Sequence, residues 1–179
     1  MLTLENTILV MIDIQEKLTR AMLDREALVE NAVKMVRGAK ILATPIIRTE
    51  QNPDGLGRTV PELEELLGDV EPITKLSFSC CGEPRFLEAL QKFGRRQILI
   101  CGIESHVCVY QTIVDLAALG HEVQVLADVV SSRTAENRNI GLERCREAGA
   151  SITSVETALF EMLRAAEGDR FRQMLKVVK

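Results

Sequence analysis

The chain has 179 residues, 22 Lys and Arg against 26 Asp and Glu, a formal net charge of −4, and only 3% aromatic residues. An acidic chain with so few aromatic side chains offers neither a cationic surface to a phosphate backbone nor stacking platforms to bases, so nucleic acid is not expected as a partner. A globular chain of this length buries about 70% of its unfolded surface, enough for one aliphatic core, and residues 1–179 read as a single domain.

In chain order, the start MLTLENTILVMIDIQ shows no basic leader or cleavage signature. Its apolar run is broken by Asp13 too early to cross a bilayer, which points to a cytoplasmic protein without a membrane partner. The run itself does not alternate, so it predicts a strand over 7–13 buried on both faces. Asp13 falls at the carboxyl end of that strand, where open parallel sheets bind ligands; an Asp there serves equally well as an N-cap. A helix over 26–43 and a strand over 45–49 follow. The irregular stretch 50–59, QNPDGLGRTV, is a loop marked by Pro53, Gly55 and Gly57. Its place after the second strand makes Glu50 and Gln51, with Gln15, candidates for substrate contacts, against the plainer reading of solvated loop residues.

A helix over 60–67 leads to a strand over 72–75 that ends in Lys75, a residue type that alone is ordinarily a solvated charge. Next come a helix over 83–93, a strand over 97–102 and a helix over 105–119. Cys108 sits just inside the start of that last helix, where unpaired N–H groups and a partial positive charge favour thiolate and can hold an oxyanion. The bland alternative is a small buried hydrophobe. His106, two residues away, is on a different helix face and makes a weaker partner. A strand over 122–127, the turn residues Ser131, Ser132 and Arg133, a helix over 135–148, a strand over 151–154 and a helix over 156–162 complete the pattern. A terminal helix at about 168–178 carries Phe171, Met174, Leu175 and Val178 on one stripe, which must pack on its own body or on a neighbouring subunit and favours a homo-oligomer.

This alternation defines an α/β, doubly wound (Rossmann-like) three-layer sandwich with a mainly parallel six-stranded sheet, in one of the few orders that right-handed crossovers allow. Asp13, Lys75 and Cys108 then all lie at carboxyl strand ends or the helix start after one, and such ends converge in space. A carboxylate can take the thiol proton, an ammonium can stabilise the thiolate, and helix-start amides can bind the oxyanion. Five cysteines, an odd number without regular spacing, suit a reducing compartment better than a disulfide framework. Cys80 and Cys81 read as turn and core positions, Cys101 and Cys145 as packing residues. With only His106 and His121 and no zinc-type spacing, neither a metal nor another cofactor is expected.

Four stretches carry a family likeness: the strand ending in Asp13 with D-x-Q, RTEQNPDGLGRTVPEL at 48–63, TKLSFS at 74–79, and GIESHVCVYQTIVDLAALGHEVQVLADVVSSR at 102–133. On these the chain resembles the isochorismatase-like cysteine hydrolases, most closely the isochorismatase-domain-containing subgroup. The resemblance implies strand order 3-2-1-4-5-6, an Asp13, Lys75, Cys108 triad, a cis peptide between Ile103 and Glu104, and oxyanion contacts from the backbone N–H groups of Glu104 and Cys108. Two departures narrow the activity. The metal-binding histidines of nicotinamidases are missing after the second strand, and isochorismatases proper lack the cysteine that is present here. The expected activity is hydrolysis of a small amide or related acyl substrate through a thioester, with no metal. The competing reading is a thiol sensor or protein-interaction module that keeps the fold.

Overall fold

The computed structural model describes all residues 1–179. The apolar runs become six strands: β1 Thr7–Ile12, β2 Ile46–Gln51, β3 Ile73–Lys75, β4 Gln97–Ile103, β5 Glu122–Ser131 and β6 Ser151–Thr153. They form one sheet in the order β3-β2-β1-β4-β5-β6, and every pairing is parallel. The order crosses over between β1 and β4. Thr7 of β1 pairs with Gln97 of β4 and the register runs without a break to Ile12 and Gly102, so the two central strands end side by side.

Both central strands are buried along their whole length, and alternate side chains divide between two cores. Leu9, Met11, Leu99, Cys101 and Ile103 face one; Ile8, Val10, Ile12, Ile98 and Ile100 face the other. The first core is closed by α2 (Arg25–Leu42), α4 (Pro61–Leu67), α8 (Val155–Leu163) and α9 (Gly168–Val178), the second by α5 (Pro84–Phe93), α6 (Tyr110–Ala118) and α7 (Ala135–Glu147). Helix α2 earns its place through Leu28, Val29, Ala32, Met35, Val36, Ala39 and Leu42, a stripe at helical spacing. Two single-turn helices, α1 (Glu16–Thr19) and α3 (Pro53–Leu56), occupy loops where the sequence pattern predicts none.

Strand β5 runs past the predicted end at 127 to Ser131 because its register with β4 shifts: Ile100 pairs with Val125 but Gly102 with Val130. Side chains from the flanking helices take up carbonyls on this irregular stretch. Arg138 of α7 donates to the carbonyls of Ala127 and Val130, and Asn31 of α2 donates to that of Asp128 at 3.0 Å. Such long-range partners leave no trace in local periodicity. At the carboxyl terminus Met174 is fully buried in the first core, with Val177 and Val178 packed beside it. Met174 and Val178 of the α9 stripe are thus used within the chain, while Phe171 and Leu175 stay half-buried outside that core. No helix is long and apolar enough to cross a membrane.

Candidate active site

Asp13 follows β1 with φ at +53°, a left-handed conformation that turns the chain sharply off the strand. Across the crossover the preceding residue, Ile12, pairs with Gly102, near the end of β4. A side chain on Gly102 would place its Cβ 2.0 Å from the Ile12 carbonyl oxygen, and the glycine's φ of +130° already disfavours any other residue. The close approach of the two strands therefore requires glycine. Beyond Gly102 the Ile103–Glu104 peptide is cis. The chain then enters a π-helical turn, Ser105–Val109, before α6 begins, so the predicted helix over 105–119 divides in two and Cys108 lies in the wider turn. Gly141 of α7 lets that helix sit directly on the turn, because a Cβ there would fall 2.6 Å from the His106 nitrogen.

These backbone features bring three side chains together. The Asp13 carboxylate is fully buried, with Oδ1 accepting from the Thr49 hydroxyl at 2.7 Å and Oδ2 from the Lys75 ammonium at 2.7 Å. The Cys108 thiol lies close enough to the same carboxylate for its charge to act on the thiol proton. Lys75 Nζ donates in addition to Gln51 Oε1 at 2.8 Å and to the carbonyls of Phe78 and Ser77 at 3.1 and 3.2 Å. Lys75 is among the largest fully buried side chains of the molecule, far from the solvated charge that a lone lysine suggests.

Burial dominates the electrostatics. It lifts the Asp13 carboxyl above its ordinary value of 3.8, and the opposing pull of Lys75 and of the hydrogen bonds from Lys75, Thr49 and Cys108 does not fully offset it. Burial works against charge on Lys75 as well, but the Asp13 carboxylate, through its charge and its hydrogen bond, acts the other way and the ammonium is held protonated. The Cys108 thiol is pushed up to about 12, first by burial and then by the Asp13 charge. At neutral pH the sulfur thus keeps its proton, contrary to the thiolate that a helix start with a nearby ammonium suggests. The arrangement is a neutral thiol beside a base of raised strength, with a fixed cation behind the base.

The other predicted contacts have structural partners. Gln15 is fully buried; its Nε2 donates to the carbonyls of Gly57 at 2.6 Å and Gln51 at 3.0 Å, and its Oε1 accepts from the Gln51 N–H at 2.8 Å. It ties the 52–59 loop to the site floor and leaves no open polar atom for substrate. Glu50 points to the other side of β2, where its Oε1 accepts from the Thr59 N–H and hydroxyl at 2.7 and 2.8 Å. Gln51 orients Lys75 from one end of its amide and donates to the Leu76 carbonyl at 2.9 Å from the other. The Glu104 carboxylate is paired with Arg133 at 3.1 Å, away from the sulfur.

Three contributors, Thr49, Thr112 and Ser105, escape the sequence reading. Thr49 holds the carboxylate, and Thr112 accepts from the Cys80 N–H at 3.0 Å while donating to the Cys108 carbonyl at 2.7 Å, tying the two cysteine-bearing segments together. Ser105 and Ser132 share a hydrogen bond at 2.6 Å, and His106 Nδ1 meets Ser132 at 3.0 Å. Period-two alternation along β2 is the signal that finds Thr49, since it shares a face with Gln51 and opposes Glu50. Access to the sulfur is narrow, with Cys108 only 7% exposed, and the clefts of about 460, 360 and 300 Å³ are lined by residues other than the three. Leu76 and Phe78, 77% and 54% exposed, stand on the segment just past Lys75.

A doubly wound sheet with a carboxylate, a buried ammonium and a thiol near its crossover defines an α/β protein with a polar site at the topological switch point. The profile of the isochorismatase domain family matches residues 7–157, and the chain belongs to that family. Isochorismatase domain-containing protein 2 of Xenopus laevis is 38% identical over 174 residues, which cover 97% of this chain and 83% of that protein. The secreted isochorismatase effector Isc1 of Phytophthora sojae is 36% identical, over 97% of this chain and 85% of its own. Among solved structures, the MAR1 ribonuclease of Caenorhabditis elegans superposes with a TM-score of 0.92 at 34% identity, covering 99% of this chain and 91% of that one.

Proposed function

We propose that the protein is a cysteine hydrolase that cleaves a small amide or related acyl substrate through a thioester, with residues 1–179 acting as one catalytic domain. What supports this reading is the buried Asp13 carboxylate, ion-paired with the Lys75 ammonium at 2.7 Å and near enough to the Cys108 thiol to act on its proton. As Cys108 Sγ attacks the substrate carbonyl carbon, its proton passes to Asp13, and the carbonyl oxygen becomes an oxyanion held by the Glu104 and Cys108 backbone N–H groups. Lys75, locked in place, keeps the site's charge balanced while Asp13 is alternately charged and neutral. Collapse of the intermediate breaks the carbon–nitrogen bond, and the leaving amine takes the proton from Asp13. Water then attacks the thioester with Asp13 as base, releasing the acid and restoring the thiol.

A raised carboxyl pKa suits Asp13 to both proton transfers, because it accepts from a thiol more readily and still donates to an amine. The same burial argues against the thiol-sensor reading. A sulfur that holds its proton to about 12 is a slow target for oxidants at neutral pH, since the thiolate is the reactive form. Five cysteines, an odd number without regular spacing, suit a reducing compartment such as the cytoplasm.

The test is a screen of small amides, carbamoyl compounds and esters, with mass detection of an acyl adduct on Cys108. RNA belongs in the same screen because of the Caenorhabditis protein's name, although the net charge of −4 argues against it. The reading requires that Cys108→Ala lower turnover by at least about 10⁴-fold and remove the adduct. Unchanged turnover in that variant would refute it.

A further inference from the structure

The side of β2 opposite the thiol opens on a cleft of about 460 Å³ at the β2–β3 edge, whose ionic lining is Arg48, Glu50, Asp54, Arg58, Glu64 and Glu71 and whose walls carry no aliphatic or aromatic side chain apart from two prolines. Arg48 and Glu64 neutralise each other in a two-pronged pair, the guanidinium being almost fully buried. The remaining groups are unbalanced. Asp54, Glu71 and Arg58 take part in no ion pair, and Glu50 adds a further carboxylate.

Glu50 is the informative residue. It is only 4% exposed, and both of its hydrogen bonds, from the N–H and the hydroxyl of Thr59, end on Oε1. Oε2 has no partner within the chain, yet it is not sealed from the surroundings as the Thr153 hydroxyl is. A buried carboxylate with one oxygen satisfied and the other turned to a polar cleft lacks a donor on that side. Three free carboxylates against one guanidinium favour a cation. They do not cluster closely enough to hold a metal ion, so the positive charge must be spread over several ångströms.

From these observations we propose that the cleft is a second ligand site, separate from the thiol, for a small aliphatic di- or polyamine, one ammonium of which donates to Glu50 Oε2 while another lies toward Asp54 and Glu71. The cleft is tied to the thiol side through Thr59, which bonds Glu50 and bridges to Gln15.

Isothermal titration of the full chain with putrescine and spermidine tests the assignment. Saturable binding with Kd below about 1 mM is expected, weakened about 10-fold by Glu50→Gln and about 3-fold by Glu71→Gln, tightened by Arg58→Gln, and unchanged by Glu143→Gln on distant α7. Should Glu50→Gln lower the melting temperature by losing the Thr59 contact, the exposed pair Asp54→Asn and Glu71→Gln decides the question alone. The proposal fails if neither amine gives saturable heat, if Glu143→Gln weakens binding as much as the cleft variants do, or if magnesium chloride binds as tightly as spermidine.

Discussion

At the amino-terminal edge of the sheet, Gln97 accepts from the Thr3 N–H at 2.9 Å and from the Thr7 hydroxyl at 3.2 Å, while Arg95 donates to the carbonyls of Leu4 and Thr7 at 2.6 and 2.9 Å. At the carboxyl-terminal edge of the same two strands, Asp13, Lys75 and Cys108 meet in a space equally shut off from water. Both edges bury polar groups and both satisfy them. The lower edge pairs mostly neutral amides and hydroxyls, whose protons stay where they are, so its polar groups only fix the strands. The upper edge concentrates a carboxylate, an ammonium and a thiol, and its protons can move. Buried polarity at the lower edge fixes neutral groups in place; at the upper edge it gathers groups that titrate, as the proposed chemistry requires.

Substitutions separate the two roles. Lys75→Met leaves the Asp13 carboxylate buried without its counter-ion and is expected to cost about 3–5 kcal/mol, read from urea unfolding at pH 7. A loss below about 1 kcal/mol would mean that Asp13 is neutral in the resting protein. Thr49→Val removes one hydrogen bond to that carboxylate and should cost about 1.5–3 kcal/mol, with Thr49→Ser restoring most of it. Gln97→Leu at the lower edge should cost about 1–3 kcal/mol while leaving turnover per folded molecule within about twofold. A large loss of turnover in Gln97→Leu would erase the distinction between the edges.

The effect that is smallest near neutral pH, and that grows only above pH 9, is alkaline. Burial raises the Cys80 and Cys108 thiols from an ordinary 9.0 to about 12, so the folded chain keeps protons that the unfolded chain releases. The stability contribution is complete below pH 9 and is lost as pH rises from 9 towards 12; at pH 9.0 each thiol has given up only about 0.4 kcal/mol. Melting temperature followed from pH 8 to 11 should fall, and the fall should lessen in Cys80→Ala. Over the same range iodoacetamide labelling of Cys108 should rise steadily, whereas a plateau reached below pH 8 would show a thiolate already formed.

The sheet was largely legible in the sequence because its central strands are unalternating apolar runs, TILVMI and QILICGI, which have few other uses. The predicted strand over 45–49 stops two residues short of the end of β2 because Glu50 and Gln51 read as solvated loop residues. The partner of Glu50, Thr59, lies 9 residues away and no local window joins them. The convergence of Asp13, Lys75 and Cys108 could be read from strand ends and family likeness. The thiol's resting charge could not, because the helix-start argument favours thiolate and only the packed structure shows that desolvation outweighs it. The frame contacts of Gln15 and of Glu50 Oε1 could not be read either, because their partners Gly57 and Thr59 come from a loop whose path only the folded chain shows.

Lys75 presents four acceptors with three ammonium hydrogens, at distances from 2.7 to 3.2 Å, and none of its surface reaches solvent. An amine held this way has no free lone pair to offer an electrophile. Reagents that acetylate or carbamylate surface lysines should pass it over, and the loss of that immunity would be an early chemical signal that the upper edge of the sheet had come apart.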